Sequence, residues 1–227
     1  MTRLLIHVEG ETEEACVNEV LSEHLYSLGY TVVGARMLGP AQQRARRGGI
    51  VSWEIARQRI LNHLKEDLEC VSSTMVDYYG MPPDWPRRTD ASASGLSISE
   101  QAELIEDALL QDVRREMGTN FSPNRFVPYV MMHEFEAMLF SGCDAFGSAI
   151  GHQDLTASLQ AVRDEFESPE EIDNSPDTAQ SKRIESLLPG YQKPIMGVQA
   201  AHGIGVDTIR RECPHFRDWL GRLESLV

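Results

Sequence analysis

The chain has 227 residues and a formal charge of −14, with 35 acidic against 21 basic side chains. That length suits one large domain or one domain with a small appendage, and the charge opposes non-specific adhesion to nucleic acid or anionic membranes without forbidding a locally basic groove. No run approaches the roughly 18 apolar residues of a membrane span, the N-terminus does not read as a signal peptide, and Cys16, Cys70, Cys143 and Cys213, with no C-x-x-C pair among them, fit a reduced, cytoplasmic protein.

The first element is a short apolar run from Arg3 to Val8, read as a central parallel strand. Thr12 to Leu28 carries Val17, Val20, Leu21, Leu25 and Leu28 at helical spacing, and Gly29 is a good stop. Thr31–Ala35 reads as a second strand, followed by the Gly/Arg-rich loop RMLGPAQQRARRGG. Helical period returns from Trp53 to Leu68, and Cys70–Val76 reads as a third strand ending at Asp77. The segment DYYGMPPDWPRR, with three prolines and a glycine, cannot be regular structure. Ser97 and Glu100 form a possible capping box for a helix to about Met117. Phe126–Met132 reads as a fourth strand, and HEFEAMLF as the start of a helix. The alternation of strand and helix predicts an α/β fold, a parallel central sheet of about four strands flanked by helices. After Ser141 the pattern weakens, with short helices expected near 154–166, 178–188 and 206–226. Residues 1–140 are therefore read as the α/β core and 141–227 as a mainly helical C-terminal extension packed on it.

Ligands of open α/β sheets gather at the carboxyl ends of the strands. Here the first strand ends at Glu9, with Glu13 one helical turn beyond; the third ends at Asp77; and the fourth is followed by Glu134 and Glu136. Neighbouring strands lie about 4.8 Å apart, so these acids can converge. Such a cluster repels itself or takes up protons unless a cation is present. A hard divalent ion such as Mg²⁺ takes oxygen ligands, and it relieves that repulsion. A single glutamate on a loop is ordinarily just solvated, and Glu11 and Glu14 are assigned to that class, with a favourable effect on the helix dipole. HEFEA is not H-E-x-x-H, so a zinc protease is not supported. GVQAAHGIGVDTIRREC lacks the spacing of a phosphate loop, so no nucleotide site is assigned there.

These motifs resemble those of the TOPRIM domain, a Rossmannoid fold of topoisomerases, primases, RNA-maturation nucleases and OLD-type nucleases. LIHVEGETEE is similar to its first motif, and STMVDYYGMP resembles its second, a strand ending in D-x-D. VMMHEFEAMLF is similar to a later acid-bearing segment of OLD-type members. The ordered set DYYG, HEFEA and SPEEIDNSPDTAQSKR also looks like a family of small stand-alone TOPRIM-like prokaryotic proteins of unknown function. The resemblance covers residues 3 to about 140 for the general fold and nearly the full length for the small family. It implies that Glu9 is the TOPRIM acid, catalytic or metal-ligating, that Glu13 is the extra OLD-type acid and that Asp77 is the first aspartate of D-x-D. The second aspartate is absent, for Tyr79 stands there. Either Glu134 or Glu136 replaces it or metal binding is weakened.

The leading expectation is a Mg²⁺- or Mn²⁺-dependent nuclease using two ions about 4 Å apart. Glu9, Glu13, Asp77, Glu134 and Glu136 would be the ligands. His133 would orient a carboxylate or protonate a leaving group, and Lys182 and Arg183 would stabilise transition-state charge. Arg44, Arg46 and Arg47, in a stretch with six arginines and one acid between Arg36 and Arg59, would follow a phosphate backbone or an acidic protein. Arg87 and Arg88 with Trp85 would form a second basic-aromatic patch, and Tyr79 could hydrogen-bond phosphate or stack on a base. The chain has no Walker A motif, so the resemblance suggests a separate ATPase partner, in a phage-defence-like system. The alternatives are a non-catalytic TOPRIM-like module binding an ATPase or nucleic acid, and another phosphotransfer reaction such as small-nucleotide hydrolysis.

Overall fold

A computed structural model describes residues 2–39, 50–93, 95–172 and 180–227. Strand β1 (Arg3–Val8) leads into α1 (Glu11–Cys16), a π turn (Val17–Leu21) and α2 (Ser22–Leu28), one continuous helical rod that stops where Gly29 takes φ +120°. This rod crosses back to β2 (Val32–Met37), which lies parallel to β1. Helix α3 (Trp53–Glu66) returns to β3 (Cys70–Asp77) on the other side of β1, again parallel. Helices α4 (Arg88–Ala93) and α5 (Ile98–Met117) follow, and α5 opens on the capping box anticipated at Ser97 and Glu100.

The expected fourth strand is two short pieces, β4 (Phe126–Val127) and β5 (Val130–Met131), both parallel to β3. Pro128 interrupts them because it has no N–H to donate. The Thr74 hydroxyl bridges the gap, donating to the Tyr129 carbonyl at 3.0 Å and accepting from its amide at 2.9 Å. The sheet order is β2-β1-β3-β4, with β5 also on β3. The architecture is thus a parallel α/β sheet flanked by helices, with a helical C-terminal part.

Phe135–Gly142, expected to start an α-helix, winds as a 3-10 helix with Phe135–Ser141 buried. Beyond it come α6 (Cys143–Ala149), α7 (Thr156–Arg163), α8 (Gln180–Leu187), α9 (Lys193–Ile204), α10 (Val206–Glu212) and α11 (Pro214–Glu224). The single helix anticipated over 206–226 divides at Cys213, because Pro214 opens the second helix and cannot continue the first. Helix α9 was not anticipated at all.

Side-chain alternation along the central strands feeds two cores. Leu4, Ile6, Val8, Val71 and Met75 pack with the α1–α2 rod and the C-terminal helices, while Val76 joins α3 and α5 on the opposite face. The C-terminal helices belong to the first core. Trp219 of α11 stacks on Tyr129 at 4.6 Å between ring centroids, and its indole N–H donates to the Ser73 hydroxyl at 3.0 Å. All four cysteines are buried free thiols. Among the described residues no helix is long and apolar enough to cross a membrane.

Candidate metal centre

Parallel pairing in register decides where the acids emerge. Val8 lies level with Met75, so Glu9 and Asp77 leave the same end of adjacent strands. The Asp77 amide approaches the Glu9 carboxylate at 3.4 Å. Gly80 leaves the carboxylate its room: a Cβ at that position would stand 2.8 Å from Glu9 Oε1, so a larger residue would make the carboxylate move. Glu13, one turn into α1, reaches back and accepts the Gly10 amide at 3.1 Å, which spends part of its charge on the helix N-terminus. Glu134 and Glu136 come from the far side, on the segment that follows β5.

The cation they face is Lys193, the first residue of α9. Its Nζ lies 2.8 Å from Glu136 Oε2 and 3.9 Å from Glu134 Oε1. The Glu136 contact is a charge-assisted one at hydrogen-bond distance, while the other carboxylate oxygen, Oε1, is buried without a hydrogen-bond partner. Asp77 Oδ1 is likewise buried without a hydrogen-bond partner. Among the described residues, Lys193 is the cation that acts on all five carboxylates.

The electrostatics record that imbalance. Burial pushes the Glu9 carboxyl up to about 7, reinforced by Glu13 and Glu134 and partly opposed by the Asp77 amide and Lys193. Burial first, then Glu13 and Glu9, hold Asp77 well above the carboxylate range. Glu13 is raised by burial and by Glu134, against the pull of backbone amides and Lys193. Fully buried Glu136 stands at about 7 despite Lys193. Burial works to discharge Lys193, but Glu136, Asp77 and Glu134 outweigh it and keep its pKa raised. The Tyr191 hydroxyl, buried beside Glu136 and Glu134, finds no hydrogen-bond partner.

The residues singled out for chemistry divide as follows. Glu9, Glu13, Asp77, Glu134 and Glu136 are brought together. His133 is buried and stacks on half-exposed Tyr79, with ring centroids 6.3 Å apart and planes at 26°. Arg183 lies against Glu165 at 4.0 Å and over Phe166 at 5.9 Å, and Lys182 is exposed on the same helix; the ammonium facing the acids is instead that of Lys193. Arg44, Arg46 and Arg47 lie outside the described residues. The expected basic-aromatic patch at Trp85 is absent, because Trp85 is buried on Trp53 at 4.9 Å between centroids and donates to the Val51 carbonyl. Arg88 instead covers the Tyr78 ring at 3.6 Å.

Carboxylate oxygens alone make a donor set for a hard divalent ion, and the orphaned Asp77 Oδ1 is a free acceptor suited to one. Among the described residues no three carboxylate, imidazole or thiol groups are already gathered closely enough to hold an ion. A cation would have to draw the acids inward, which their elevated pKa values favour, since neutralising them relieves repulsion.

No curated protein matches the chain. Two solved structures of the C-terminal region of the Xanthomonas campestris pv. campestris OLD protein are similar to it. The one phased with iodine is 20% identical, with a TM-score of 0.44 over 99% of this chain and 95% of that one. The one phased with mercury is 19% identical, with a TM-score of 0.37 over 97% of each. The match that spans most of the sequence, residues 8–224, is to a family description, and the chain belongs to that family, Domain of unknown function (DUF4276).

Proposed function

We propose that this protein is a divalent-metal-dependent phosphodiesterase of TOPRIM type acting on nucleic acid. The observation that carries this reading is the convergence of Glu9, Glu13, Asp77, Glu134 and Glu136 on one lysine at the carboxyl end of a parallel sheet. Glu9, Glu13 and Asp77, with Glu134 or Glu136 in place of the missing second aspartate, would hold Mg²⁺ or Mn²⁺, with two ions expected. Such ions supply positive charge to a phosphodiester and activate water. The raised carboxyl of Glu9 reflects burial and the neighbouring acids, and a bound cation would hold it ionised as a ligand. Lys193 takes over the role expected of Lys182 and Arg183, because its neighbours keep it charged and it is already desolvated. Tyr79, which follows Asp77 by two residues, stacks on His133, which precedes Glu134, and would offer its half-exposed ring to a base. Arg44, Arg46 and Arg47 would track the backbone. The motif resemblance supports an ATPase as the partner, in a phage-defence-like setting.

A specific observation also favours a second reading. With Tyr79 in the aspartate position and Glu136 neutralised by Lys193, the centre could be a non-catalytic module that binds an ATPase or nucleic acid. Cleavage of single- and double-stranded DNA and RNA in Mn²⁺ or Mg²⁺, by wild type and Glu9→Gln, separates the two. The nuclease reading expects metal-dependent cleavage lost in the variant; the same background from both proteins assigns the binding module.

A further inference from the structure

A cleft of about 660 Å³ opens beside the carboxylate centre and shares His133 and Glu134 with it. Its volume falls in the range of small-molecule sites, roughly 300–1,000 Å³. Its apolar wall is made by Met131, Met132, Met138 and Phe166, and its rim by Ser97 and Ser99 at the start of α5. Two features restrict what can enter. First, the lining contains Glu134, Glu167, Glu170 and Glu171 and, among the described residues, neither lysine nor arginine. Second, the anion seat at the start of α11 is already taken. Glu170 fills it, accepting the His215 amide at 2.8 Å and the Phe216 amide at 2.9 Å. The imidazole of His215, also in the lining, is paired with Glu106 at 3.0 Å, so the remaining carboxylates disfavour a phosphate. A flat, neutral group with N–H donors on its edge would find apolar surface for its faces and the exposed carboxylates of Glu167 and Glu171 for its edge.

We propose that this cleft receives an unstacked nucleobase with an exocyclic amine, guanine best of all, from the strand whose phosphate meets the carboxylate centre. This rests on the phosphodiesterase reading for the position of the phosphate, but the base site is a separate piece of the surface. Guanine offers N1–H and N2–H together, a pair that one carboxylate accepts in bidentate fashion. Adenine and cytosine offer an amine beside a ring acceptor. Thymine and uracil offer one N–H between two carbonyl oxygens, which the glutamates disfavour. His133, which lines the cleft, stacks on half-exposed Tyr79 and adds an aromatic ring at the side of the cleft nearest the carboxylates. A duplex cannot deliver a base here without unpairing it, so the substrate is single-stranded or frayed.

The test is nucleoside binding by the full chain in EDTA, followed by saturation-transfer NMR and calorimetry. Uncharged guanosine and thymidine remove phosphate and metal from the measurement. Guanosine is expected to bind about tenfold more tightly than thymidine, the scale on which a bidentate base contact discriminates. Ser99→Trp, at an exposed rim position, is expected to weaken guanosine at least about tenfold by blocking the mouth. Glu171→Gln, also exposed, is expected to narrow the preference over thymidine without needing that bulky change to fold. No guanosine binding, equal binding of both nucleosides, or binding indifferent to both substitutions overturns the proposal. So does acetyl-arginine amide binding in the cleft in place of guanosine, which would assign it to a basic protein partner. Because the readout needs no metal, loss of nuclease activity leaves it intact, and absence of base binding leaves Mn²⁺-dependent cleavage intact.

Discussion

Glu9→Gln is expected to stabilise the metal-free protein at high pH and to weaken its response to metal. The Glu9 carboxyl stands at about 7 in the fold, against 4.5 when free. A carboxyl raised in this way binds its proton more tightly when folded, so it costs nothing below pH 4.5, and the folded state loses stability as pH rises from there through 7. Above pH 7 the full penalty is on the order of 3 kcal/mol. Relaxation of the neighbouring acids reduces what is recovered on removing one of them, so we expect a gain of about 1–2 kcal/mol at pH 8 and close to none at pH 5. In urea this is a rise of about 0.5–1 M in the midpoint at pH 8. Saturating Mn²⁺ is expected to stabilise wild type by roughly 2–3 kcal/mol at a hundredfold excess over its dissociation constant, and the variant by far less. Urea melts at pH 5 and pH 8, with EDTA or Mn²⁺, read all four terms. The reasoning fails if the variant is less stable than wild type at pH 8 in EDTA, or if Mn²⁺ stabilises both proteins alike.

Lys193→Met leaves Glu136 buried without its counter-charge, which is expected to cost about 3–5 kcal/mol at pH 8 and less at pH 5, where Glu136 takes up a proton; adding Glu136→Gln to the same chain will restore most of the loss in urea melts. Gly80→Ala drives a methyl toward Glu9 Oε1, the mobile end of a side chain, so stability is expected to change by no more than about 1 kcal/mol, while calorimetry shows at least a tenfold loss of Mn²⁺ affinity. Glu170→Ala uncaps α11, which donates two backbone amides to that carboxylate, and thermal melts are expected to register about 1–2 kcal/mol of destabilisation with Mn²⁺ affinity unchanged.

The half of the centre on the sheet was legible because parallel strands are read as apolar runs and their ends are marked by the first charge. Val8 and Val76 are the last apolar residues before Glu9 and Asp77, and register does the rest. Glu134 and Glu136 were legible as acids after a strand, although the strand is broken at Pro128 and the segment winds as a 3-10 helix. Lys193 was not legible. It opens a helix whose glycines look like a loop, yet those glycines exist for packing. A Cβ at Gly203 would stand 2.7 Å from Ala149 Cβ, and one at Gly197 would stand 3.0 Å from the Tyr191 hydroxyl. Buried on several sides, α9 has no single apolar stripe to betray its period. Trp85 misled for the opposite reason: flanked by prolines and arginines it reads as surface, and only the tertiary contact with Trp53 takes it inside. Arg183 sits on a helix with an exposed basic turn, but its guanidinium goes to Glu165 and Phe166, a choice that depends on the three-dimensional course of the chain.

The most direct measurement is Mn²⁺ binding at pH 7.5, followed by the loss of the free-ion electron paramagnetic resonance signal, in wild type and Asp77→Asn. Wild type is expected to bind saturably and the variant at least about tenfold more weakly, in the range found when a ligand or its support is removed. Wild type that leaves the free Mn²⁺ signal untouched, or a variant that binds as well as wild type, would contradict the assignment of these carboxylates to a metal.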